Sequence, residues 1–274
     1  MISLETLHLQ VAEGVATLRI DHGKANEMGR QQIGEWERLC DWLDAAPVGA
    51  LVSYSDRVSP KGAPIFIAGA NVTERGDWST AEVKAHVHRQ RAVLGRLRRA
   101  PVFHVGVIHG VALGWGTEYT LACDWRIATP GAKFALPETG LGILPGAGGA
   151  SELAAVIGPN HALRLGITGE SVGAEEALRI GLVDELAANL AGGLDRARSM
   201  AARVSLRSPT AVAAYKAAVL AALGQPADAR RDIEARAYEH CVDSGEAAVG
   251  RANFATITAG TARAPWGNYT PWKP

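Results

Sequence analysis

The feature that most constrains the fold is a repeated order of apolar run, glycine turn and helical pattern. Residues 101–108 form an apolar, β-rich run, residues 110–116 form a glycine-rich turn, and a helical pattern begins at Thr117. The same order repeats through Phe134 and a helix that we expect to begin near Gly146. Such alternation is typical of βαβ units, and it predicts an α/β fold with mostly parallel strands.

The residues before this region predict the first elements of the same fold. Alternating apolar residues on both sides of Glu13-Gly14 predict a β-hairpin. Apolar residues at steps of three and four predict an amphipathic helix that ends near Pro47. The remaining predicted elements are two buried strands and a helix capped by Ser79 or Thr80, at residues 49–54, 65–68 and 79–99 respectively.

The pattern changes after about residue 186, where helical periods dominate. We therefore expect an α/β core over residues 1–186 and a helical region with an irregular tail over residues 187–274. The tail contains Trp266 and Trp272. Because exposed tryptophans are costly, we expect it to dock on this subunit or on a neighbouring one. The predicted helices span residues 189–203, 208–223, 227–243 and 245–257.

Composition and charge exclude several classes of protein. The chain has 28 basic and 28 acidic residues, so its balance favours neither a nucleic-acid partner nor an acidic membrane surface. The first five residues do not resemble a signal peptide, and no apolar run is long enough to span a bilayer. Three scattered cysteines suit a reducing compartment, so we expect a cytoplasmic protein.

Two carboxylates are the candidate catalytic groups. Glu118 and Glu138 lie twenty positions apart, and each stands beside a glycine-rich turn. Carboxyl groups held near one reacting carbon can divide acid and base work between them. Apolar neighbours would raise the pKa of Glu118 if the side chain is buried. From the residues alone, two solvated surface glutamates remain the alternative.

The glycines around these carboxylates suggest donors for a developing negative charge. Gly114-Trp115-Gly116 precedes a helix, whose first turn has free N–H groups and the positive end of the dipole. A second donor could come from residues 66–70, where a strand ends in small residues. The spacing of the glycines in residues 140–146 does not fit a dinucleotide-binding loop, and the sequence has no P-loop motif for a nucleoside triphosphate. The spacing of the histidines does not favour a metal site.

In combination these segments resemble the crotonase superfamily, the enoyl-CoA hydratase/isomerase family. The resemblance extends from about residue 4 to residue 260, and an ordered set of motifs carries it. It implies a spiral of ββα units followed by a C-terminal helical region that builds homotrimers, often paired into hexamers. It also implies an acyl-CoA ligand. The matching motifs lie at residues 66–70, 110–118, 122–124, 136–149 and 173–184.

The resemblance also implies roles for individual residues. The backbone N–H groups of Ala70 and Trp115 would form an oxyanion hole around the thioester oxygen. Glu118 would deprotonate the water that attacks Cβ, and Glu138 would deliver a proton to Cα. This predicts a 2-enoyl-CoA hydratase with no cofactor besides the coenzyme A of its substrate, and no metal. The residues expected along coenzyme A are Lys24, Ala25, Ala68, Gly69 and Gly114.

Two departures from the family pattern bear on the acyl pocket and leave other reactions open. Trp115 stands where many hydratases have glycine, and its indole could shorten or reshape the pocket. Asn71 replaces a common aspartate. The alternatives on the same enolate are an enoyl-CoA isomerase and a hydrolase of a cyclic or β-keto acyl-CoA. An alternative of another class is a non-catalytic binder of acyl-CoA or RNA, although the zero net charge argues against RNA.

Overall fold

The strands lie in two sheets in a computed structural model, which describes residues 2, 4–45, 48–260 and 262–274. The strands are β1 (Leu7–Ala12), β2 (Val15–Ile20), β3 (Ala50–Tyr54), β4 (Ile65–Ile67), β5 (Phe103–Ile108), β6 (Val111–Leu113), β7 (Trp125–Ala128), β8 (Lys133–Ala135), β9 (Val172–Gly173) and β10 (Glu185–Leu186). The helices are α1 (Arg30–Ala45), α2 (Val72–Arg75), α3 (Thr80–Arg99), α4 (Trp115–Thr120), α5 (Glu152–Thr168), α6 (Ala174–Arg179), α7 (Leu190–Ser205), α8 (Pro209–Ala222), α9 (Ala227–Asp243), α10 (Glu246–Ala252) and α11 (Phe254–Ala259), with a 3₁₀ helix at Pro137–Leu141.

Parallel pairing dominates both sheets, as the alternation of elements predicts. Among the described residues, the larger sheet has the strand order β1-β2-β3-β5-β7-β10 and the smaller has the order β4-β6-β8-β9. Only the end pairs β1–β2 and β8–β9 are antiparallel within these described strands. The β1–β2 pair is the expected hairpin. Its turn residues Glu13 and Gly14 both have positive φ, at 50° and 75°, which suits a two-residue hairpin turn.

Successive ββα units wind the chain into a spiral. Each unit sends one strand to the larger sheet and the next to the smaller sheet, and a helix follows; β3-β4-α3, β5-β6-α4 and β7-β8-α5 have this order. The ends of β4 and β6 therefore lie side by side, because these two strands pair in parallel. The α/β fold class and the spiral of ββα units are confirmed.

The core is built around aromatic side chains near the start of α4. The rings of Trp36, Phe66 and Tyr119 are fully buried. The indole of Trp115 packs among them, with its centroid 5.9 Å from that of Trp36 and 5.7 Å from that of Tyr119. Trp115 is 3% exposed, so its indole fills core space and leaves the neighbouring cleft largely unobstructed.

Three predicted elements differ from the structure. Strand β6 lies inside the segment 110–116 that was expected to be a turn, and the helix expected over residues 245–257 is divided into α10 and α11 at Asn253. The helix expected near Gly146 begins at Glu152, and residues 146–151 form turns instead. The physical reason is that the N–H groups of Ala147 and Gly149 bond to the carboxylate of Glu118 rather than entering a helix. The predicted end of the first helix near Pro47 lies outside the described residues, and α1 is described as far as Ala45.

Helices follow β10, as the sequence predicts, and the tail docks on this chain. Helix α7 packs against β3 and β5, so it covers the larger sheet. The division of the chain into two domains at residue 186 stays a prediction. Trp266 Nε1 donates a 2.9 Å hydrogen bond to the carbonyl of Leu206, and Thr270 N donates to Thr210 Oγ1 at 3.1 Å. None of the described helices is both long and apolar enough to cross a membrane.

A partly buried ion pair fastens α8 to the core. Lys216 Nζ lies 2.7 Å from Asp124 Oδ2 and 2.9 Å from the carbonyl oxygen of Val102. Burial lowers the pKa of Lys216, and the carboxylate of Asp124 opposes that change. Since Asp124 also accepts from the N–H of His104, the pair joins α8 to the start of β5.

We therefore expect Lys216→Met to destabilise the fold by about 2–3 kcal/mol, because it leaves a partly buried carboxylate without its cation. Urea denaturation measures this change. The control is Arg89→Met, which removes an exposed ion pair with Glu37 and should cost about 1 kcal/mol or less. Equal losses in the two variants would contradict a special role for the partly buried pair.

Candidate active site

A cleft of about 680 Å³ brings together most of the predicted site residues. The end of β4, helices α2 and α3, the start of α4 and residues 137–146 form its walls. Both predicted catalytic carboxylates line it, and so do both predicted oxyanion residues. Three of the five residues expected along coenzyme A also line it. These lining residues are Glu118, Glu138, Ala70, Trp115, Ala68, Gly69 and Gly114.

Glycines allow the two predicted oxyanion residues to approach each other. A Cβ on Gly116 would lie 2.1 Å from the carbonyl oxygen of Ile67, so only glycine lets α4 begin against the end of β4. Gly69 has φ of +90°, and a Cβ there would lie 2.9 Å from the carbonyl oxygen of Leu113. These contacts place Ala70, one residue after Gly69, beside the first turn of α4, where N–H groups lack partners within the helix.

Glu118 is buried and held by backbone donors. Glu118 is 4% exposed, and its Oε1 atom accepts hydrogen bonds from Ala147 N at 2.6 Å and from Gly149 N at 2.9 Å. Burial raises the pKa of Glu118, while these two bonds and the charges of Arg91 and Arg75 act in the opposite direction. The carboxylate therefore lies in a fixed position, which excludes the alternative of a solvated surface glutamate.

Glu138 lies on the 3₁₀ helix and has a different environment. Burial raises the pKa of its carboxyl to about 7, and the nearby charge of Glu118 adds to the increase. Its Oε2 atom is buried without a hydrogen-bond partner among the described residues. A Cβ on Gly114 would lie 2.6 Å from Glu138 Oε1, so the carboxyl packs directly against the glycine before α4.

The arrangement gives two carboxyl groups with separate environments in one cleft. Glu118 is fixed by backbone donors that favour its ionised form, while Glu138 has a pKa of about 7 and can carry a proton near neutral pH. Environments that separate the pKa values of paired carboxyls are the usual basis for dividing acid and base work. The cleft can therefore support proton transfer beside a carbonyl whose oxygen is held at the first turn of α4.

Lys24 and Ala25 do not line the cleft among its described walls. Lys24 is exposed, and Ala25 lies next to the cleft because its carbonyl accepts a 3.0 Å hydrogen bond from Ala68 N. Asn71, which replaces a common aspartate of the family, caps α2: its Oδ1 accepts a hydrogen bond from Glu74 N at 3.0 Å. An asparagine serves this purpose as well as an aspartate.

Five polar residues of the cleft wall were not predicted from the sequence: Arg75, Lys84, His88, Gln90 and Arg91. A signal for Gln90 exists, because it follows Val83 and Val87 on the inward face of a helix and interrupts an apolar stripe with a polar side chain. Arg75 has no comparable signal, since its position depends on the fold of the short helix α2.

Comparison with known proteins places these features in a family. The profile of the enoyl-CoA hydratase/isomerase family matches residues 60–258. A protein of Arabidopsis thaliana, named as a probable mitochondrial enoyl-CoA hydratase 2, is 32% identical over 70% of this chain and 63% of its own length. The Bacillus subtilis protein YngF, named for the same hydratase/isomerase family, is 38% identical over 66% of this chain and 69% of its own length.

Solved structures agree with the sequence relatives. An enoyl-CoA hydratase from Bacillus anthracis has a TM-score of 0.86 and 26% identity, with 96% of this chain and 99% of that chain covered. DspI from Pseudomonas aeruginosa also has a TM-score of 0.86, with 28% identity and 97% and 98% of the two chains covered. The likeness thus extends over nearly the whole length of each structure.

The environment of Glu138 leads to a test by stability. A carboxyl whose pKa is raised by folding is stabilising in its neutral form at low pH, and that stability is lost as pH rises through about 7. Glu138→Gln removes this ionisation. We expect the variant to be more stable than the wild type by roughly 1–2 kcal/mol at pH 8.5 and nearly equal at pH 4.5, after allowance for solvent screening of a partly exposed group.

Urea denaturation at the two pH values measures the difference. The control is Glu239→Gln, which removes the same charge from an exposed position on α9. An equal, pH-independent change in both variants would show that folding does not perturb the ionisation of Glu138.

Proposed function

The chain belongs to the enoyl-CoA hydratase/isomerase family, and we propose that it adds water across the 2,3 double bond of a 2-enoyl-CoA. The observation that carries the proposal is the pairing of buried Glu118 with Glu138 in a single cleft next to the start of α4. Hydration needs one group to deprotonate water and another to protonate carbon, and two carboxyls with different environments meet that need.

The proposed reaction passes through a thioester enolate. The N–H groups of Ala70 and Trp115 would donate to the thioester oxygen, where negative charge develops. Glu118, held by the N–H groups of Ala147 and Gly149, would in its ionised form take a proton from the water that attacks Cβ. Glu138, protonated near neutral pH, would deliver a proton to Cα. We propose that no metal and no cofactor takes part besides the coenzyme A of the substrate.

The proposal includes the position of coenzyme A and the assembly. The adenine and pantetheine parts would lie near Lys24, Ala25 and Ala68, at the edge of the cleft where Ala25 bonds to Ala68. The assembly would be a homotrimer or a hexamer. Helices α8 and α9 expose apolar side chains, with Tyr215 74% exposed and Tyr238 72% exposed, and subunit contacts would cover such surface. Multi-angle light scattering gives the number of subunits.

The first test concerns the two carboxylates. Glu118→Gln and Glu138→Gln should each lower turnover of a 2-enoyl-CoA by roughly 10²–10⁴-fold, because each removes a proton-transfer group without changing side-chain size. Mass spectrometry of the products measures water addition. The substrates are crotonyl-CoA and longer linear, branched, aromatic and cyclic enoyl-CoA thioesters. Conversion of a 3-enoyl-CoA without a change in mass would identify an isomerase instead. Release of free coenzyme A, or ring opening, from a β-keto thioester would identify a hydrolase.

A second test uses pH. Glu138 must carry a proton to act as the acid, and it loses that proton as pH rises past about 7. We therefore expect the hydration turnover of the wild type to fall as pH rises above about 7. The Glu138→Gln variant should lack this descending limb in its residual rate. A wild-type rate that stays level between pH 6 and pH 9 would contradict the acid role.

A third test uses a pair of glycines. Gly114→Ala places a methyl group where Glu138 Oε1 lies, at a residue whose φ of +51° disfavours side chains. Gly140→Ala, on the same 3₁₀ helix as Glu138, meets no atom within 4 Å and serves as the control. We expect Gly114→Ala to reduce turnover by about 10²-fold or more, as for displacement of a catalytic group by about 1 Å, and Gly140→Ala to keep it.

A further inference from the structure

The guanidinium of Arg75 forms no hydrogen bond to a carboxylate among the described residues, and its Cζ atom lies 5.9 Å from the centre of the Trp78 ring. Arg91, the other arginine of the cleft, donates instead to the carbonyl of Gly146. Burial lowers the pKa of Arg75, while the charges of Glu74 and Glu118 oppose that change, which indicates a partly desolvated cation with no directly bonded carboxylate among the described residues. A charge removed from water without a partner is costly, so its presence in a ligand cleft calls for an explanation.

The nearby acidic groups are already engaged elsewhere. The carboxylate of Glu74 accepts from the N–H of Arg30 at the start of α1. The carboxylate of Glu118 accepts from Ala147 and Gly149. The polar group that Arg75 contacts is the amide of Gln90, whose Oε1 accepts from Arg75 Nη2 at 3.1 Å.

Gln90 provides an independent observation. It is 3% exposed, and its Nε2 atom is buried without a hydrogen-bond partner among the described residues. The Nε atom of Arg75 is in the same state, again within the described part of the chain. Both residues line the cleft. The unused Nε–H group of the Arg75 cation and the unused Nε2–H group of Gln90 together form a site that is complementary to an oxyanion with two acceptor atoms.

We propose that Arg75 and Gln90 bind a carboxylate at the far end of the acyl group, so that the substrate is a carboxylated 2-enoyl-CoA. This inference rests on the proposed function for its orientation. With the thioester oxygen at Ala70 and Trp115, and with Glu118 acting on Cβ, the rest of the acyl chain continues beyond Glu118. Arg75 lines the same cleft as Glu118 and lies near enough for its charge to act on that carboxylate.

The apolar wall between these points suits a short methylene spacer. Val83 and Val87 line the cleft on the same helix as Gln90, one turn apart from each other. A carboxylate on a short chain could therefore keep its carbons against these valines and its oxygens against Arg75. The specificity would come from the cost of leaving Arg75 and Gln90 unpaired with a neutral acyl group.

The kinetic test compares 4-carboxybut-2-enoyl-CoA and 5-carboxypent-2-enoyl-CoA with hex-2-enoyl-CoA. The wild type should prefer a carboxylated substrate in kcat/KM. Arg75→Met should lower the ratio of carboxylated to neutral kcat/KM by roughly 10–100-fold, as for loss of a charged hydrogen bond. Arg75→Lys should lower the ratio less, because it keeps the charge. The control Lys84→Met removes an exposed cation from the same cleft and should change the ratio by about twofold or less.

A binding test separates this inference from the proposed function. Calorimetry with the saturated thioesters glutaryl-CoA and hexanoyl-CoA measures the same preference without turnover. If the wild type prefers glutaryl-CoA and Arg75→Met abolishes that preference, the carboxylate site is supported. This holds even if no enoyl-CoA is hydrated and the proposed function fails. Hydration of hex-2-enoyl-CoA with no preference for a carboxylate overturns the site and leaves the proposed function standing. Equal weakening of both thioesters in Arg75→Met would assign Arg75 to coenzyme A instead, which also overturns the inference.

Discussion

The close contact between the start of α4 and the end of β4 is the constraint on which the rest of the site depends. Gly116 makes it possible, because any side chain at this position would collide with the carbonyl of Ile67. The contact brings Ala70 and Trp115 together, although they belong to successive units of the spiral. The indole of Trp115, at the start of α4, packs in the core beside Trp36.

Electrostatics then separates the two carboxyl groups. Both are withdrawn from water, and withdrawal raises the pKa of each. Glu118 receives compensation from two backbone donors, whereas a buried oxygen of Glu138 has none within the described chain. The donors come from the glycine-rich turn at residues 146–151, which is why that segment does not continue as a helix. A local choice between helix and turn thus decides which carboxylate receives backbone donors.

The cleft walls beyond the carboxylates carry a second layer of polarity. The apolar stripe of α3 contains Gln90, and α2 presents Arg75 to the same space. The two side chains bond to each other, which fixes the guanidinium and leaves further donors available. Fixed donors in a partly desolvated cleft discriminate more sharply between charged and neutral groups than donors on a flexible surface would.

The sequence by itself determined the α/β class, the hairpin, most helices and the candidate carboxylates, because these depend on local periodicity, turn residues and short motifs. The resemblance carried by those motifs also led to the family. Only the tertiary structure decided that Glu118 is buried, that Trp115 packs inward, and that Arg75 and Gln90 share the cleft. The predicted helix start near Gly146 was wrong for the same reason, because the side chain of Glu118, distant in sequence, bonds to that turn. Such contacts join residues from different turns of the spiral, and their energies depend on burial and charge, which local patterns do not encode.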